Sequence, residues 1–405
     1  MSMVGLLIRK LRLERDYSQA GLCRGICAPS YLSKIEQGQA EAGSEIVERL
    51  LAALGVTYCR DESLLEQARE SLAAYHEARA REEPPETAWL DSNLERLTYS
   101  DLCLDMQLYR LFRLLDREDR TGAEALRKEL EPLLPQMDRE QSYCYWTACS
   151  ELTQDPAGRL DCLLAAQRQK PCAYVGYAIA SVFYHQGQYS RSIEAANRAY
   201  SLAAEEGDLY VLVNASFLLG SCYTDRDLGF AEKYYDRAIR LGKRQWPQLA
   251  DWAAYNLGAS YLEWGQPEKA LYWLNRTQPV AGNDAHNLLL HQKRAILYVQ
   301  TGKPDLARAD LAQAEEILRE ARGELWEVEL YMDMLEFVRQ LLDGGEGSPD
   351  CEKLLLRLYR DAGEKLGFGF RRFYGLYLVK RYRKERRYKD ALRILEEISG
   401  KEFPE

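Results

Sequence analysis

The feature that most constrains the fold of this 405-residue chain is an internal repeat in its second half. Each copy has a Tyr near the end of one predicted helix, a short turn, and a small residue inside the next helix. These small residues are spaced 39, 39 and 37 residues apart, and they are Ser192, Ala231, Ala270 and Ala307. A fixed period of this length indicates an array of identical supersecondary units. The period therefore predicts stacked units instead of one compact core.

A second small residue follows seven positions later in three of the four copies, as Ala199, Ala238 and Ala314, with Thr277 the exception. Small residues two turns apart on one helix face let neighbouring helices approach closely, so each copy is predicted to be a helical hairpin. Segments such as "WAAYNLGASYLEWGQPEKALYWLNR" resemble tetratricopeptide repeats, clearly so between Tyr174 and Arg322. The period exceeds the usual 34 residues, which implies somewhat longer helices or turns.

The first 58 residues lack this repeat and contain four short helical patterns. Apolar spacing, N-cap residues, a helix-starting Pro29 and terminating glycines mark their ends. The predicted helices run from Val4 to Glu14, from Ser18 to about Arg24, from Pro29 to just before Gly38, and from Ser44 to Gly55. Four helices in so short a stretch predict a compact bundle with its own small core.

The tight break between the second and third helices predicts a helix-turn-helix, whose third helix enters the DNA major groove. The apolar residues expected in its core are Leu22, Ile26, Leu32 and Ile35. On the opposite face of the third helix lie short polar side chains and one lysine, namely Ser30, Ser33, Lys34 and Gln37. Such residue types suit close approach to base edges.

The stretches "LRLERDYSQ", "LCRGIC", "SYLSKIEQG" and "LLAALGV" resemble the Cro/repressor-type (XRE) helix-turn-helix family over residues 6–56. The resemblance implies that Gln19 holds a phosphate and that Arg12 and Glu36 form an ion pair between the first and third helices. The DNA-binding residues implied are Arg9, Lys10, Gln19, Ser30, Tyr31, Ser33, Lys34 and Gln37, with Arg15 as a further backbone contact. The alternative is that residues 1–58 are a helical cap for the array.

An XRE domain (1–58), a linker helix (59–85) and a tetratricopeptide-like array (86–405) together resemble the peptide-pheromone receptors of Gram-positive bacteria, of the PlcR, Rgg and PrgX types. The stretch "GICAPSYLSKIEQG" is especially similar to the PlcR type. The resemblance implies a homodimer that binds duplex DNA and holds a short imported peptide in the concave groove of the array. It also implies that the array serves both ligand binding and dimerisation.

The first helix of each hairpin is expected to line that groove. Asparagine amides there both donate and accept hydrogen bonds, so they can read the main chain of an extended peptide. The predicted peptide-binding residues are Asn214, Asn256 and Lys293, with apolar walls from Tyr177, Phe217, Trp252 and Tyr255. The alternative for each asparagine is an ordinary exposed or capping helix residue.

The charge distribution and the motifs of the sequence limit the classes of function further. The net charge is −9, but residues 1–58 carry +1, so any nucleic-acid site is expected there. No catalytic motif, no cysteine or histidine spacing for a metal and no apolar run long enough for a membrane span is present. A cytoplasmic regulator without enzyme activity, metal or cofactor is therefore predicted. The alternatives are a protein-interaction scaffold and a phosphatase-like or sequestering array as in the Rap family, which the helix-turn-helix disfavours.

The segment Arg371 to Lys389 holds nine Lys or Arg and one Glu, interleaved with aromatic residues. This pattern fits nucleic acid binding. The favoured interpretation is an amphipathic terminal hairpin whose basic face is solvated or paired with nearby acidic residues.

Overall fold

The computed structural model describes residues 4–224, 226–280, 282–321, 327–366 and 368–399. These residues form α-helices and two short 3-10 helices, and no strand occurs among them. The chain divides into two compact units, residues 1–179 and residues 180–405.

The first unit begins with four short helices and continues with longer ones. Its helices are α1 (Val4–Glu14), α2 (Gln19–Leu22), α3 (Pro29–Glu36), α4 (Ser44–Ala53), α5 (Glu62–Ala80), α6 (Ala88–Thr98), α7 (Cys103–Asp116), α8 (Arg120–Leu130), α9 (Arg139–Leu152) and α10 (Pro156–Gln169). A 3-10 helix, Glu131–Gln136, follows α8, and α11 (Ala173–His185) runs across the division between the units.

Helices α1 to α4 enclose a small core of their own, in which Ile8, Leu32 and Leu50 are fully buried. Ser18 caps α2 by accepting a hydrogen bond from the Gly21 amide. Helix α2 ends at Leu22, two residues before the predicted end, because the chain already turns from Cys23 onwards. Ile26, predicted as a core residue, is only half-buried, since it lies in this turn.

Helix α5 lies where the linker helix is predicted, and its buried face packs into a second core with α6 to α9. The Tyr75 ring lies edge-on to Tyr109, with 4.9 Å between ring centroids. The Tyr75 hydroxyl donates to Asp116 at 2.7 Å, and Arg79 bridges Asp116 and Glu151. Helix α5 is therefore an integral part of the first unit.

The second unit is a succession of antiparallel helix pairs. Its helices are α12 (Tyr189–Glu206), α13 (Leu209–Tyr223), α14 (Leu228–Gly242), α15 (Pro247–Glu263), α16 (Pro267–Leu274), α17 (Asp284–Gln300), α18 (Pro304–Glu320), α19 (Val328–Leu342), α20 (Pro349–Lys365), α21 (Phe368–Lys384) and α22 (Tyr388–Ser399), with a 3-10 helix at Gly345–Gly347. Helices α13, α15, α17, α19 and α21 are the first members of pairs, and each packs against the helix that follows it.

The small residues of the repeat lie where the two helices of a pair pack closely against each other. Ser192, Ala231, Ala270 and Ala307 are fully buried, and their counterparts seven residues later are at most 3% exposed. Thr277, the exception in the pattern, fits because its hydroxyl donates to the Trp273 carbonyl at 3.2 Å. One such close approach is at Gly258 on α15, where an added Cβ would lie 2.7 Å from Leu274 Cγ on α16. The predicted helical hairpins are therefore present.

Candidate functional site

The outward face of α3 is polar and open to solvent. Ser30, Lys34 and Gln37 are exposed and Ser33 is half-buried, whereas Leu32 on the opposite side is fully buried. The Gln37 amide donates to the Ser33 hydroxyl at 3.2 Å. The four side chains predicted to meet base edges thus share one accessible helix face.

A buried ion pair fixes α3 against α1. The Arg12 Nε and Nη2 atoms donate to the two Glu36 carboxylate oxygens at 2.6 and 2.8 Å, and both residues are less than 10% exposed. The remaining guanidinium nitrogen of Arg12, Nη1, donates to the Tyr17 carbonyl at 2.8 Å. The hydrogen bond that Arg12 donates to Glu36 raises the pKa of Arg12, so the guanidinium stays charged. Two-point pairing of this kind sets the relative angle of the two helices.

Gln19, the first residue of α2, joins the same network. Its amide donates to Glu36 at 2.8 Å while the side chain stays half-exposed at the surface. Glu36 therefore orients Gln19 at the edge of the α3 face, where the resemblance implies a phosphate contact. Tyr31 also sits beside this face, and its hydroxyl donates to the Glu41 carbonyl at 2.9 Å.

The two basic residues implied on α1 differ in their surroundings. Arg9 is exposed. The Lys10 ammonium pairs with Glu129 on α8 at 3.1 Å, and both side chains are more than half exposed. Lys10 thus links the helix-turn-helix bundle to α8 within the first unit.

In the second unit, the predicted ligand residue Lys293 on α17 is buried against α21. Its ammonium lies 2.8 Å from the Phe373 ring centroid and the residue is 3% exposed. Burial lowers the pKa of Lys293 to about 7, although the nearby Glu263 favours its charged form. The neighbouring Gln292 donates to the Tyr374 hydroxyl at 3.3 Å.

Helix α21 also reaches back to α15. Arg372 pairs with Glu263 at 2.7 Å across 109 residues of sequence, and both groups are mostly buried. On α15, Tyr255 is 3% exposed and its hydroxyl has no hydrogen-bond partner within the described parts of the chain. The same holds for the Gln292 side-chain oxygen. Two buried polar atoms near α21 are therefore left with unused hydrogen-bonding capacity.

Trp252 and Tyr255 form a single aromatic group, with 5.9 Å between their ring centroids. Trp252 is half-buried and lies 4.3 Å from the His286 ring, whose pKa is lowered by burial. Phe217 on α13 is half-buried and lies edge-on to Tyr235, at 5.7 Å.

The two asparagines predicted to read a peptide have intramolecular partners. The Asn214 amide donates to the Tyr210 carbonyl of its own helix at 3.0 Å, and the residue is 7% exposed. Asn256 is half-buried and hydrogen-bonds through its side chain to Tyr235. Tyr177, the remaining predicted residue, is half-buried in the part of α11 that belongs to the first unit.

The sequence pattern missed the partners that α21 supplies, among them Phe373, Tyr374 and Arg372. The sequence pattern of this stretch, basic residues interleaved with aromatic residues, does not indicate a contact with Lys293. In the structure much of that charge is paired: Lys380 contacts Glu346, while Arg381 and Arg387 both contact Glu352. The paired basic face favours the terminal-hairpin interpretation of this segment.

Among the described residues, no cluster of three or more His, Cys, Asp or Glu side chains is arranged to hold a metal ion. No helix among them is both long and apolar enough to cross a membrane.

A sequence model of the helix-turn-helix family matches residues 8–59, which span α2, α3 and α4 and most of α1. Together with the geometry above, this match defines the N-terminal part of the chain as a helix-turn-helix domain of the XRE type. No curated protein matches this sequence.

Over most of its length the chain is similar in fold to the quorum sensor NprR from B. thuringiensis. The apo form of NprR has a TM-score of 0.59 and 17% identity, with 83% of this chain and 98% of that chain covered. NprR in complex with its cognate peptide NprX gives 0.53 and 15%, with coverages of 82% and 98%. The apo form of RapI gives 0.54 and 12%, with coverages of 75% and 100%. The predicted fold class, an all-α chain with a helix-turn-helix bundle followed by a tetratricopeptide-like solenoid, is confirmed.

Proposed function

We propose that the chain is a DNA-binding transcription regulator that uses α3 to recognise duplex DNA. The observation that carries this proposal is the solvent-facing row of Ser30, Ser33, Lys34 and Gln37 on a helix fixed by the Arg12–Glu36 pair. Lysine favours guanine and serine bonds to several bases, so the row has the chemistry for base readout. Gln19 would position the domain through a phosphate.

We further propose that the regulator is a homodimer in the cytoplasm and has no enzymatic role. A helix-turn-helix dimer reads two half-sites about 34 Å apart, so the separation of its two recognition helices decides whether it binds. A ligand that changes this separation would select between a binding and a non-binding state.

The proposed ligand is a short signalling peptide held by the array in the second unit. The support is the fold likeness to NprR, which has been seen with its cognate peptide NprX. Trp252 and Phe217 would contribute apolar walls.

The DNA-binding part is tested by selecting duplexes from a random pool with the full chain. The expected result is an enriched, partly palindromic site, bound by the full chain and not by a chain lacking residues 1–58. If the truncated chain shifted the same duplex equally well, the assignment of the DNA interface would be wrong.

The peptide part is tested by calorimetry with peptides recovered from culture medium. The Asn214→Ala, Asn256→Ala double variant should lose peptide binding and keep its ligand-free DNA binding. Asn197→Ala is the matched control, because Asn197 is exposed and donates only to the Ile193 carbonyl of its own helix. Undiminished peptide affinity in the double variant would contradict the site.

The second candidate is a helix-turn-helix protein whose array is a docking scaffold for another protein. The intramolecular bonds of Asn214 and Asn256 favour it, since they occupy the amides that a peptide would need. Absence of peptide binding by the unmodified chain, with a protein partner recovered in its place, would support this candidate.

A further inference from the structure

Two thiols are in contact in the turn that joins α2 to α3. The Cys27 sulfur lies 3.5 Å from the Cys23 sulfur. All ten cysteines of the chain are described and are free thiols. Within the described part of the chain, Cys23 and Cys27 are the one pair of sulfurs within hydrogen-bonding distance of each other. Their contact is therefore a specific feature of the helix-turn-helix turn.

The backbone places this pair at a separation that a disulfide can span. The amides of Ile26 and Cys27 both donate to the Cys23 carbonyl, at 2.8 and 3.2 Å. A turn of this kind holds the two α-carbons about 6 Å apart, inside the range of roughly 4.4–6.8 Å found for disulfides. Gly25, in the middle of the turn, has φ +75° and no atom within 4 Å of the place of a Cβ, so the turn has room to adjust.

The two thiols differ in accessibility. Cys23 is 2% exposed against the core of the bundle, and burial raises its pKa to about 12. Cys27 is only half-buried, so a small reagent reaches it first. An accessible outer thiol in contact with a buried one is the arrangement of an attacking and a resolving cysteine.

We propose that Cys23 and Cys27 are a modification site that forms a reversible disulfide with small-molecule disulfides such as oxidised glutathione. The Cys27 thiol loses its proton to solvent and attacks one sulfur of the reagent, and the first small thiolate leaves and takes up a proton. Cys23 then gives its proton to solvent and attacks the Cys27 sulfur, which expels the second small thiolate, and this thiolate also takes up a proton. Two protein thiols are oxidised while one small disulfide is reduced to two thiols, so electrons and protons balance.

Forming the bond moves the start of α3. The sulfurs must close by roughly 1.5 Å to reach a disulfide bond length of about 2.05 Å. Pro29, the first residue of α3, follows Cys27 by two positions. Rotation of the two side chains supplies part of this closure and the turn supplies the rest, and hydrogen bonds to base edges weaken with shifts of a few tenths of an ångström. This consequence rests on the proposed function, and we expect the oxidised chain to bind DNA about tenfold more weakly, equal to roughly one lost base contact.

The bond is tested by peptide mapping of the full chain after equilibration with oxidised glutathione and blocking of free thiols. Trypsin cleaves after Arg15, Arg24 and Lys34, so Cys23 and Cys27 fall in two adjacent peptides, Asp16–Arg24 and Gly25–Lys34. The expected product is these two peptides joined, lighter by two hydrogens than their sum. Dithiothreitol should separate them, and Cys27→Ser should abolish the product.

Cys162→Ser is the matched control, since Cys162 is half-buried and lies in no sulfur pair, and it should give the joined peptides as the unmodified chain does. The proposal would be overturned if, after this treatment, Cys23 and Cys27 were both found as blocked free thiols in separate peptides. So would a lasting glutathione adduct on Cys27, or a Gly25–Lys34 peptide joined to its own copy from a second chain.

The effect on DNA is measured separately, with a duplex selected by the reduced chain. Affinity should fall on oxidation, recover with dithiothreitol and stay constant in Cys27→Ser. If the joined peptides formed and the affinity for DNA did not change, the proposed effect of the disulfide on α3 would be wrong. If the reduced chain selected no duplex, the proposed function would fail, while the peptide map would still decide whether the disulfide forms.

Discussion

The Lys293 ammonium lies 2.8 Å from the centre of the Phe373 ring, although the two residues are on helices α17 and α21, four helices apart in the chain. A cation over an aromatic face is attracted by the ring. In this place the attraction competes with the loss of water around a fully buried charge, and the lowered pKa of Lys293 shows that desolvation has the larger effect.

Replacing this lysine should therefore stabilise the chain in a pH-dependent way. Below pH 7 Lys293 is protonated in both states, so the folded state bears the full cost of burial. Between about 7 and its ordinary pKa of 10.5 only the unfolded state holds the proton, and the stability of the unmodified chain rises with pH. Lys293→Met should raise the free energy of unfolding at pH 6, and this advantage should shrink by about 1.4 kcal/mol per pH unit from pH 7 to 9.

Urea unfolding at each pH measures the difference between the two chains. Lys303→Met is the control, because Lys303 is exposed, and its stability difference should stay constant with pH. A difference for Lys293→Met that is also constant with pH would show that Lys293 titrates alike in both states.

Removing one partner of the Arg12–Glu36 pair should loosen the helix-turn-helix bundle. Glu36→Ala leaves the Arg12 guanidinium buried without its partner, at a cost of about 3 kcal/mol. Hydrogen exchange of the α1 and α3 amides in the full chain should accelerate about a hundredfold. Glu41→Ala, at an exposed position, should leave exchange unchanged. Equal protection in both variants would contradict a stabilising role for the pair.

Adding a methyl group at Gly258 should push α15 and α16 apart. The new Cβ would lie 2.7 Å from Leu274 Cγ, so Gly258→Ala should destabilise the chain by about 1–3 kcal/mol in thermal or urea unfolding. Leu274→Ala in the same chain should recover part of the loss attributable to the clash. Gly369→Ala in α21, where no atom is near, should be neutral or stabilising. Similar costs at both glycines would rule out the close contact.

Substitutions on the recognition helix should separate specificity from affinity. Lys34→Ala should relax the preference at one base pair, by about 1–3 kcal/mol, because Lys34 is exposed on the α3 face. Gln19→Ala should weaken all sites alike, since a phosphate contact carries no sequence information. Parallel site selection with each variant measures both effects. Lys128→Ala, exposed on α8, should alter neither, and a uniform loss with Lys34→Ala would assign Lys34 to the phosphate backbone.

The local parts of this architecture could be predicted from the sequence. Ser18 as a cap, Pro29 as a helix start and the buried small residues of the repeat each follow from neighbours within a few turns. Such features depend on backbone propensity and on a fixed period, both of which a single sequence displays.

The contacts of α21 could not be predicted in the same way. Which residues of α21 meet Lys293 depends on the small rotation added at each successive hairpin, and no local pattern encodes that sum. The Cys23–Cys27 contact could not be predicted from the sequence for another reason. Their spacing of four residues fits one helix face, whereas they lie in a turn after α2 has ended.

The ion pair between Arg372 and Glu263 has a consequence for how the second unit comes apart. In an array held only by nearest neighbours, the terminal repeat frays first and at little cost. Here α21 is tied to α15 by that pair and to α17 by Gln292 and Tyr374. The last hairpin cannot detach without exposing buried groups in the middle of the unit. The stretch from α15 to α21 should therefore open in one cooperative step, as a closed loop does, and not from its free end inward.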